Sequence, residues 1–421
     1  MEERTAPEHT RHPADGSPAA APGALFLVYL AVFGGFCGQY IIAPILPPLA
    51  RELDISEFQL GMVITTSAIM VVLGSTFWGR RSQTIGRKRV LVLTLLGGAA
   101  ALLLFAVVAH LGLNHTVGGA VAFVMMLCTR GLVYGALLAA IPVTAQAYVA
   151  DVTPDERSRV RGLSWVGAAS GLAIVVGPLL GGLLGKASLL LSMYVAPAVL
   201  AFVAAIVWLR LPTESRHVDK PKAAKLSPFD RRLWPFLVPG FGLFLALGIM
   251  QITVGFLLQD RLDLAPGDAA QYTSWALLAL GVPYLLAQAA LVPKLGWPPL
   301  RLLRIGITLA GLGFLGVSLG AELISTMVSL AVLGLGLGMG LPGYMSGPTL
   351  LVGPDEQGGV AGIVGANNAL TFVFGPLIGT GLYQLAPLAP FITTTLLLAA
   401  LLLFVWLAPA IRPTAAHPNT R

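Results

Sequence analysis

An arginine stands alone in the middle of one of the longest apolar segments of this chain. Arg130 lies in the stretch 127–135, whose other members are uncharged and end with Tyr134 and Gly135. A charge inside an apolar helix is costly unless it faces a partner or a water-filled cavity. Two interpretations follow: a structural arginine bonded to backbone carbonyls and polar neighbours, or a residue on the path of a solute. We favour the second, because ionisable groups at such depth usually mark a pathway.

Acidic residues are absent from the middle of every apolar segment. All 19 Asp and Glu residues lie in tails, in loops or at helix ends, as Asp151, Asp260 and Glu322 do. Proton-driven pumps commonly use a buried carboxylate that loads and releases protons, and none is evident here. Without an acidic partner, Arg130 predicts a cavity that prefers an anionic or zwitterionic solute, such as a siderophore-like carboxylate metabolite.

Uncharged polar side chains within the apolar segments are further candidates for the wall of such a cavity. Each is individually more often a helix–helix hydrogen-bonding group than a ligand contact. The candidates are Gln39, Tyr40, Tyr134, Gln146, Gln251, Gln288, Asn367 and Asn368.

The composition shows what surrounds these residues. Hydrophobic residues make up 56% of the 421 positions and charged residues only 11%, whereas soluble domains carry roughly 25% charged residues. Apolar stretches long enough to span a bilayer, about 20 residues, recur along the whole chain. The net charge of +7 resides in short loops and not on a basic face with aromatics, so nucleic acid is not an expected partner. The chain is predicted to be a multi-pass protein of the cell (inner) membrane.

Twelve helices are predicted, six on each side of a polar linker at 211–232. The N-terminal bundle is placed at 24–210 and the C-terminal bundle at 233–410, with a disordered tail at 1–23 and a second tail at 411–421. The predicted helices are 24–47, 57–79, 89–111, 117–150, 159–185, 188–210, 233–259, 270–293, 300–320, 322–351, 358–385 and 388–410.

The basic residues predict the orientation of the chain. One set of alternate loops carries 18 Lys and Arg residues, and the other carries only Arg51, Lys186 and Arg261, which is 3. Because positively charged loops stay in the cytoplasm, both termini and the linker are predicted to be cytoplasmic.

An internal repeat relates the two halves. Pro-Asp-Glu at 154–156 recurs at 354–356, and Gly-Pro-Leu-Leu-Gly at 177–181 recurs as Gly-Pro-Leu-Ile-Gly at 375–379, with offsets of 200 and 198 residues. Parallel repeats around an axis along the membrane normal are typical of transporters that bind their substrate between the halves.

The segment that follows the second predicted helix is read as a cytoplasmic loop with a specific pattern. Two glycines permit a tight reversal, and a basic cluster holds the segment at the membrane surface. The residues are Gly79, Gly86, Arg87, Lys88 and Arg89. The pattern resembles the signature loop between helices two and three of the major facilitator superfamily. That resemblance implies a twelve-helix, all-α fold of two six-helix bundles, alternating access, and a loop that locks one conformation through contacts with the second half. Gln83 stands where the family usually has an acidic residue.

Arg130 and the segment after it extend the resemblance to one branch of that family. The surroundings of Arg130 are similar to the arginine motif in helix four of the drug:proton antiporters. The arginine-rich loop after Asp151 also resembles this branch, so Asp151 and Arg161 are candidates for a cytoplasmic gate or for coupling. Independently of the resemblance, Thr153 and Glu156 predict a capping box at the start of the fifth helix.

The fifth predicted helix carries small residues around a proline. Small residues allow close packing of membrane helices, and proline bends them. Gly177, Pro178, Gly181 and Gly182 resemble the antiporter motif of helix five, which is found mainly in exporters.

The resemblance implies a secondary active exporter of a small molecule. The chain is expected to act as a monomer in a lipid bilayer, without a metal or other cofactor and with protons as a candidate coupling ion. The alternative is a broad-specificity multidrug:proton antiporter, in which Asp151 or a proton on the substrate supplies coupling. A membrane-embedded enzyme or a channel is less favoured, because no cluster of catalytic groups stands out and fused six-helix halves are typical of carriers.

Overall fold

The chain is built of helices that are long and apolar enough to cross a membrane. The computed structural model describes residues 23–153, 155–212, 227, 230, 232–353 and 356–407, and all regular structure in these ranges is helical. The predicted all-α fold with twelve spans is confirmed. The spans are α1 (Ala24–Glu52), α2 (Glu57–Ile85), α3 (Arg87–Leu113), α4 (Gly119–Val152), α5 (Arg157–Ala187), α6 (Leu189–Arg210), α7 (Trp234–Leu262), α8 (Pro266–Leu295), α9 (Pro299–Leu319), α10 (Leu323–Thr349), α11 (Gln357–Leu385) and α12 (Ala389–Leu407).

The predicted tails and most of the predicted linker lie outside the described residues. Among described residues, Arg232 contacts both Asp230 and Glu356, at 2.8 and 3.0 Å. Hydrogen bonds from Arg232 hold the pKa of each of these two exposed carboxyl groups below its usual value. These contacts join the start of α7 to the start of α11.

Two local predictions are wrong. The segment 79–89 is not a loop, because α2 continues to Ile85 and the chain turns only at Gly86, whose φ is 99°. Only glycine adopts that region readily, whereas the charged residues before it continue the helix with their heads exposed. The predicted capping box at Thr153 does not form: Asp155 caps α5 by accepting the Ser158 N–H at 2.8 Å, and the Thr153 hydroxyl donates to the Val149 carbonyl at the end of α4.

The helices form two bundles. In the first half α1 packs on α5 and α6, and α3 packs on α6; in the second half α7 packs on α11, and α9 packs on α10 and α12. The halves meet along two seams, α5 with α8 and α11 with α2. Each seam contains one copy of the Gly-Pro repeat, on α5 or α11, so the sequence repeat corresponds to equivalent positions between the halves.

Contacts between the halves are concentrated near one end of the helices. We call the end where α1 begins and α12 ends the terminal face, and the other end the opposite face. Near the opposite face Gly61 lies against Thr380, Gly182 lies against Ser274, and Thr65 donates its hydroxyl to the Val373 carbonyl at 2.9 Å.

Toward the terminal face the same helices have open space beside them. A methyl group added at Gly167 of α5, or at Gly362 or Gly365 of α11, would meet nothing within 4 Å. The structure is therefore a conformer closed at the opposite face and open toward the terminal face.

Replacing Gly181 with alanine is expected to destabilise the protein, because the new methyl group would overlap the backbone carbonyl of Ile41 in α1. Overpacking of this kind costs about 1–3 kcal/mol. Thermal unfolding in detergent should show a lower midpoint for Gly181→Ala. The matched control is Gly167→Ala in the same helix, where the space is open; a decrease of equal size in the control would contradict the packing account.

Candidate functional site

Arg130 lies on an irregular turn in the middle of α4. Residues Leu127–Tyr134 form a π-helical segment, an arrangement that occurs frequently at functional sites. The Arg130 side chain is only 4% exposed. Its guanidinium donates to the Ser67 hydroxyl of α2 at 3.1 Å and lies 4.6 Å from the centre of the Tyr134 ring. Tyr134 in turn donates its hydroxyl to the Gly35 carbonyl of α1 at 3.3 Å.

The positive charge of Arg130 is not neutralised by any residue that the structure describes. In the part of the chain that the structure describes, no carboxylate lies within ion-pairing distance of Arg130, and its Nε has no hydrogen-bond partner. A hydroxyl and an aromatic ring reduce the cost of burying the cation but leave its net charge in place. The arrangement can therefore accept an anion.

A second polar cluster lies where α1 meets α8. Gln288 is on another π-helical segment, Ala287–Leu291, and forms a hydrogen bond with Tyr284. Tyr284 lies close enough to Tyr40 of α1 for the two to interact electrostatically. Beside Tyr40, the buried Oε1 of Gln39 has no hydrogen-bond partner. Tyr40 and Tyr284 thus bring groups from both halves together at mid-depth.

The remaining polar candidates are more dispersed. Asn367 donates to the Leu237 carbonyl at 3.1 Å and to the Tyr344 hydroxyl at 3.0 Å, and Tyr344 donates to Asn368 at 2.9 Å. These bonds join α7, α10 and α11 within the second half, which is a packing role. Gln251 is half-buried in α7, and Gln146 is exposed.

Asp151 forms a buried ion pair near the terminal face. Arg87 Nε lies 3.0 Å from Asp151 Oδ2, and both side chains are less than 10% exposed. Arg87 also donates to the Ser82 hydroxyl. The expected contact of this region with the second half is not seen, since the hydrogen bonds and ion pairs formed by the described residues 79–89 stay in the first half. In a conformer that is open at the terminal face, the two halves are apart there. Arg161 is exposed on α5.

The glycines and the proline of α5 allow this helix to pack closely against both α1 and α8. Gly177 and Gly181 face α1, and Gly182 faces Ser274 of α8. Ser274 donates its hydroxyl to the Pro178 carbonyl at 2.6 Å, which is a direct hydrogen bond between the halves. This motif is thus part of the seam near the opposite face.

A charged cluster that the sequence pattern does not predict lies at the opposite face. We name Arg51, Glu57, Asp260 and Tyr383 the opposite-face latch. Arg51 pairs with both oxygens of Asp260, at 2.8 Å for Oδ2, and with Glu57 at 3.3 Å. Tyr383 donates to Asp260 at 2.6 Å, and the Arg51 guanidinium lies 5.5 Å from the centre of the Phe256 ring.

The latch connects the two halves, since Arg51 and Glu57 belong to the first half and Asp260 and Tyr383 to the second. The sequence shows Arg51 as one of three cations on the sparsely charged face. It does not show that Arg51 pairs with Asp260, because the two residues are 209 positions apart.

Two helical bundles that close over one end and leave a polar middle open to the other define a membrane carrier. The chain belongs to the Major Facilitator Superfamily, which it matches over residues 28–376. The predicted similarity to the drug:proton antiporter branch agrees with the relatives, which include tetracycline and multidrug resistance proteins.

Two relatives and one solved structure illustrate the range of similarity. The chain is 27% identical to the class G tetracycline resistance protein of Vibrio anguillarum, over 82% of this chain and 87% of that protein. It is 26% identical to multidrug resistance protein 2 of Bacillus subtilis (strain 168), over 87% and 91%. Among solved structures, a bacterial homologue of the human lysosomal transporter Spinster, inward-facing and unoccupied, has a TM-score of 0.70 at 14% identity and covers 95% of this chain and 97% of that one.

Asp260→Asn is expected to shift the protein toward conformers that are open at the opposite face, because it removes the charge that holds Arg51. A change of about 1 kcal/mol alters the ratio of two conformers roughly fivefold. Spin labels at the exposed positions Asp54 and Leu385, in a background with Cys37→Ala and Cys128→Ala, would report the distance between the halves by pulsed electron resonance. The variant should add a longer distance to the distribution.

The control is Asp268→Asn, whose partner Lys186 lies 4.0 Å away and whose ion pair is about half exposed. Exposed pairs of this kind contribute little, so its distances should match those of the unmodified protein. An unchanged distribution in Asp260→Asn would show that the latch does not hold the halves together.

Proposed function

We propose that this protein is a secondary active exporter of small organic solutes that carry an anionic or zwitterionic group, such as siderophore-like metabolites. The observation that supports this most is the unneutralised cation of Arg130, which is buried at mid-depth among α1, α2 and α4. One chain contains both halves of the carrier, so it acts as a monomer by alternating access.

The substrate preference follows from the cost of the charge. A buried ion without a partner is unfavourable, and a partner of opposite charge offsets much of that cost. A carboxylate on the solute could form the charge-assisted hydrogen bonds that Ser67 and Tyr134 cannot supply. A solute cation would instead be repelled, because no carboxylate among the described residues faces Arg130.

The proposed direction of transport is supported by the distribution of basic residues and by the relatives. The terminal face carries most of the Lys and Arg residues of the loops, so we place it in the cytoplasm of the cell (inner) membrane. The solute then binds from the cytoplasm while the opposite-face latch is closed, and leaves after the latch opens and the terminal face closes. Relatives that are resistance proteins support export.

The alternative is a broad-specificity multidrug:proton antiporter. It is favoured by two carboxylates at helix ends that pair with arginines, Asp151 with Arg87 and Asp260 with Arg51. Protonation of either carboxylate would break an ion pair, which is the kind of event that couples proton movement to a conformational change. In that case Arg130 would not determine the charge of the substrate.

Arg130→Gln is expected to reduce the export of anionic solutes about tenfold or more, which corresponds to a loss of about 1.4 kcal/mol. Arg130→Lys keeps the charge and should retain part of the activity. The measurement is efflux from cells of anionic chelators and cationic dyes, with and without a proton uncoupler, and over a concentration series. Saturation and dependence on the gradient would separate a carrier from a channel.

The control is Arg304→Gln in α9, since Arg304 also lies over an aromatic ring, 4.2 Å from the centre of Trp406. Its efflux should be unchanged. If Arg130→Gln exported anions at the normal rate, the proposal would fail. If cationic dyes alone left the cells in an uncoupler-sensitive way, the multidrug alternative would replace it.

A further inference from the structure

A cavity that the transport pathway does not use lies between α3 and α6. Its volume is about 360 Å³, and its lining residues are Lys88, Arg89, Val92, Leu93 and Trp208. A water molecule occupies about 30 Å³ in the liquid, so this space could hold roughly a dozen waters or a group of comparable size. The two basic residues lie in the first turn of α3, and Trp208 lies in the last turn of α6, which places the cavity at the terminal face.

The lining changes from charged to apolar with depth. Val92 and Leu93 follow Lys88 and Arg89 by four residues, which is about one helical turn deeper in the bundle. Leu93 and Trp208 are 55% and 63% exposed on the outside of the helices, the surface that faces lipid. Tryptophan is enriched at the level of the headgroups. Basic groups at the surface with aliphatic and aromatic groups below them match the two parts of a phospholipid.

The cations of the cavity need an anion. In the described part of the chain neither Lys88 nor Arg89 forms an ion pair, although the adjacent Arg87 is paired with Asp151. Three consecutive cations also stand at the start of α3, where the helix dipole is positive and cations are unfavourable. Asp151 neutralises the first of them, and the other two line the cavity.

We propose that the cavity between α3 and α6 binds the phosphate headgroup of an anionic phospholipid, with Lys88 and Arg89 on the phosphate and Val92, Leu93 and Trp208 along the upper acyl chains. Basic pockets between membrane helices are a known mode of anionic lipid recognition. A free phosphate would use the two cations but not the apolar wall, whereas a zwitterionic lipid would use the wall but leave the charge uncompensated. The site is separate from Arg130, which is buried among α1, α2 and α4, and it does not depend on which solute is exported.

Occupation of the site is expected to stabilise the protein. A bound lipid would attach to the helix start that contains Arg87, and a ligand that binds only the folded state raises its stability by mass action. Lipid composition would then change the thermal stability of the protein independently of transport substrate.

The test uses the full chain in nanodiscs of equimolar phosphatidylcholine and phosphatidylglycerol, in two sets that differ only in which of the two lipids is brominated in the upper acyl chain. Fluorescence quenching of Trp208, obtained as the difference from Trp208→Phe, should be at least twofold stronger when phosphatidylglycerol is the brominated lipid than when phosphatidylcholine is. The double variant Lys88→Gln/Arg89→Gln should lose this difference. The control Arg80→Gln/Arg81→Gln removes two exposed cations of the same face that do not line the cavity, and it should keep the difference.

Thermal unfolding in detergent distinguishes a phospholipid headgroup from free phosphate as the anion bound by Lys88 and Arg89. Added phosphatidylglycerol should raise the midpoint of the unmodified protein, and inorganic phosphate at the same concentration should not. Equal quenching by the two lipids, equal loss in the control variant, or equal stabilisation by inorganic phosphate would each overturn the proposal.

Discussion

A bilayer offers no solvent for a charge, and this constraint determines where each charged side chain of the protein lies. Within the described ranges, nearly every Lys, Arg, Asp and Glu residue of a span is near a helix end. There it reaches the surface, as Arg80 and Arg81 do, or forms an ion pair, as Arg87 does with Asp151. Arg130 is the exception, held at mid-depth by one hydroxyl and one ring. The proposed function rests on Arg130, because the free-energy cost of burying its charge must be offset by a group that can reach it within the fold.

The two halves explain how an anion could reach Arg130 and leave again. Both seams combine close glycine packing with a few polar contacts, such as Ser274 with Pro178 near the opposite face. The latch around Arg51 and Asp260 adds charged contacts at the same end. Closure at one face is thus held by short contacts that can separate without disrupting either bundle. This is the property that alternating access requires.

The sequence predicts those features of the fold that depend on local residue patterns. Apolar length predicts all twelve helices, although α1 and α2 continue five and six residues past their predicted ends at 47 and 79, and the Gly-Pro repeat predicts two equivalent halves. The sequence does not predict contacts between residues that are far apart along the chain. Arg51 and Asp260 are 209 residues apart, and Arg87 and Asp151 are 64 apart, so their pairing depends on how the helices pack. The extension of α2 to Ile85 was not predicted, because low hydropathy does not distinguish a loop from the exposed end of a helix. Charged residues nevertheless continue a helix well.

The most direct test of the central claim is a structure of the protein with an exported anionic solute bound. A carboxylate oxygen of the solute is expected to lie about 2.7–2.9 Å from a guanidinium nitrogen of Arg130. The solute would then supply the counter-charge that Arg130 does not find among the described residues. A solute bound elsewhere between the halves, with Arg130 still paired only with Ser67 and Tyr134, would contradict it.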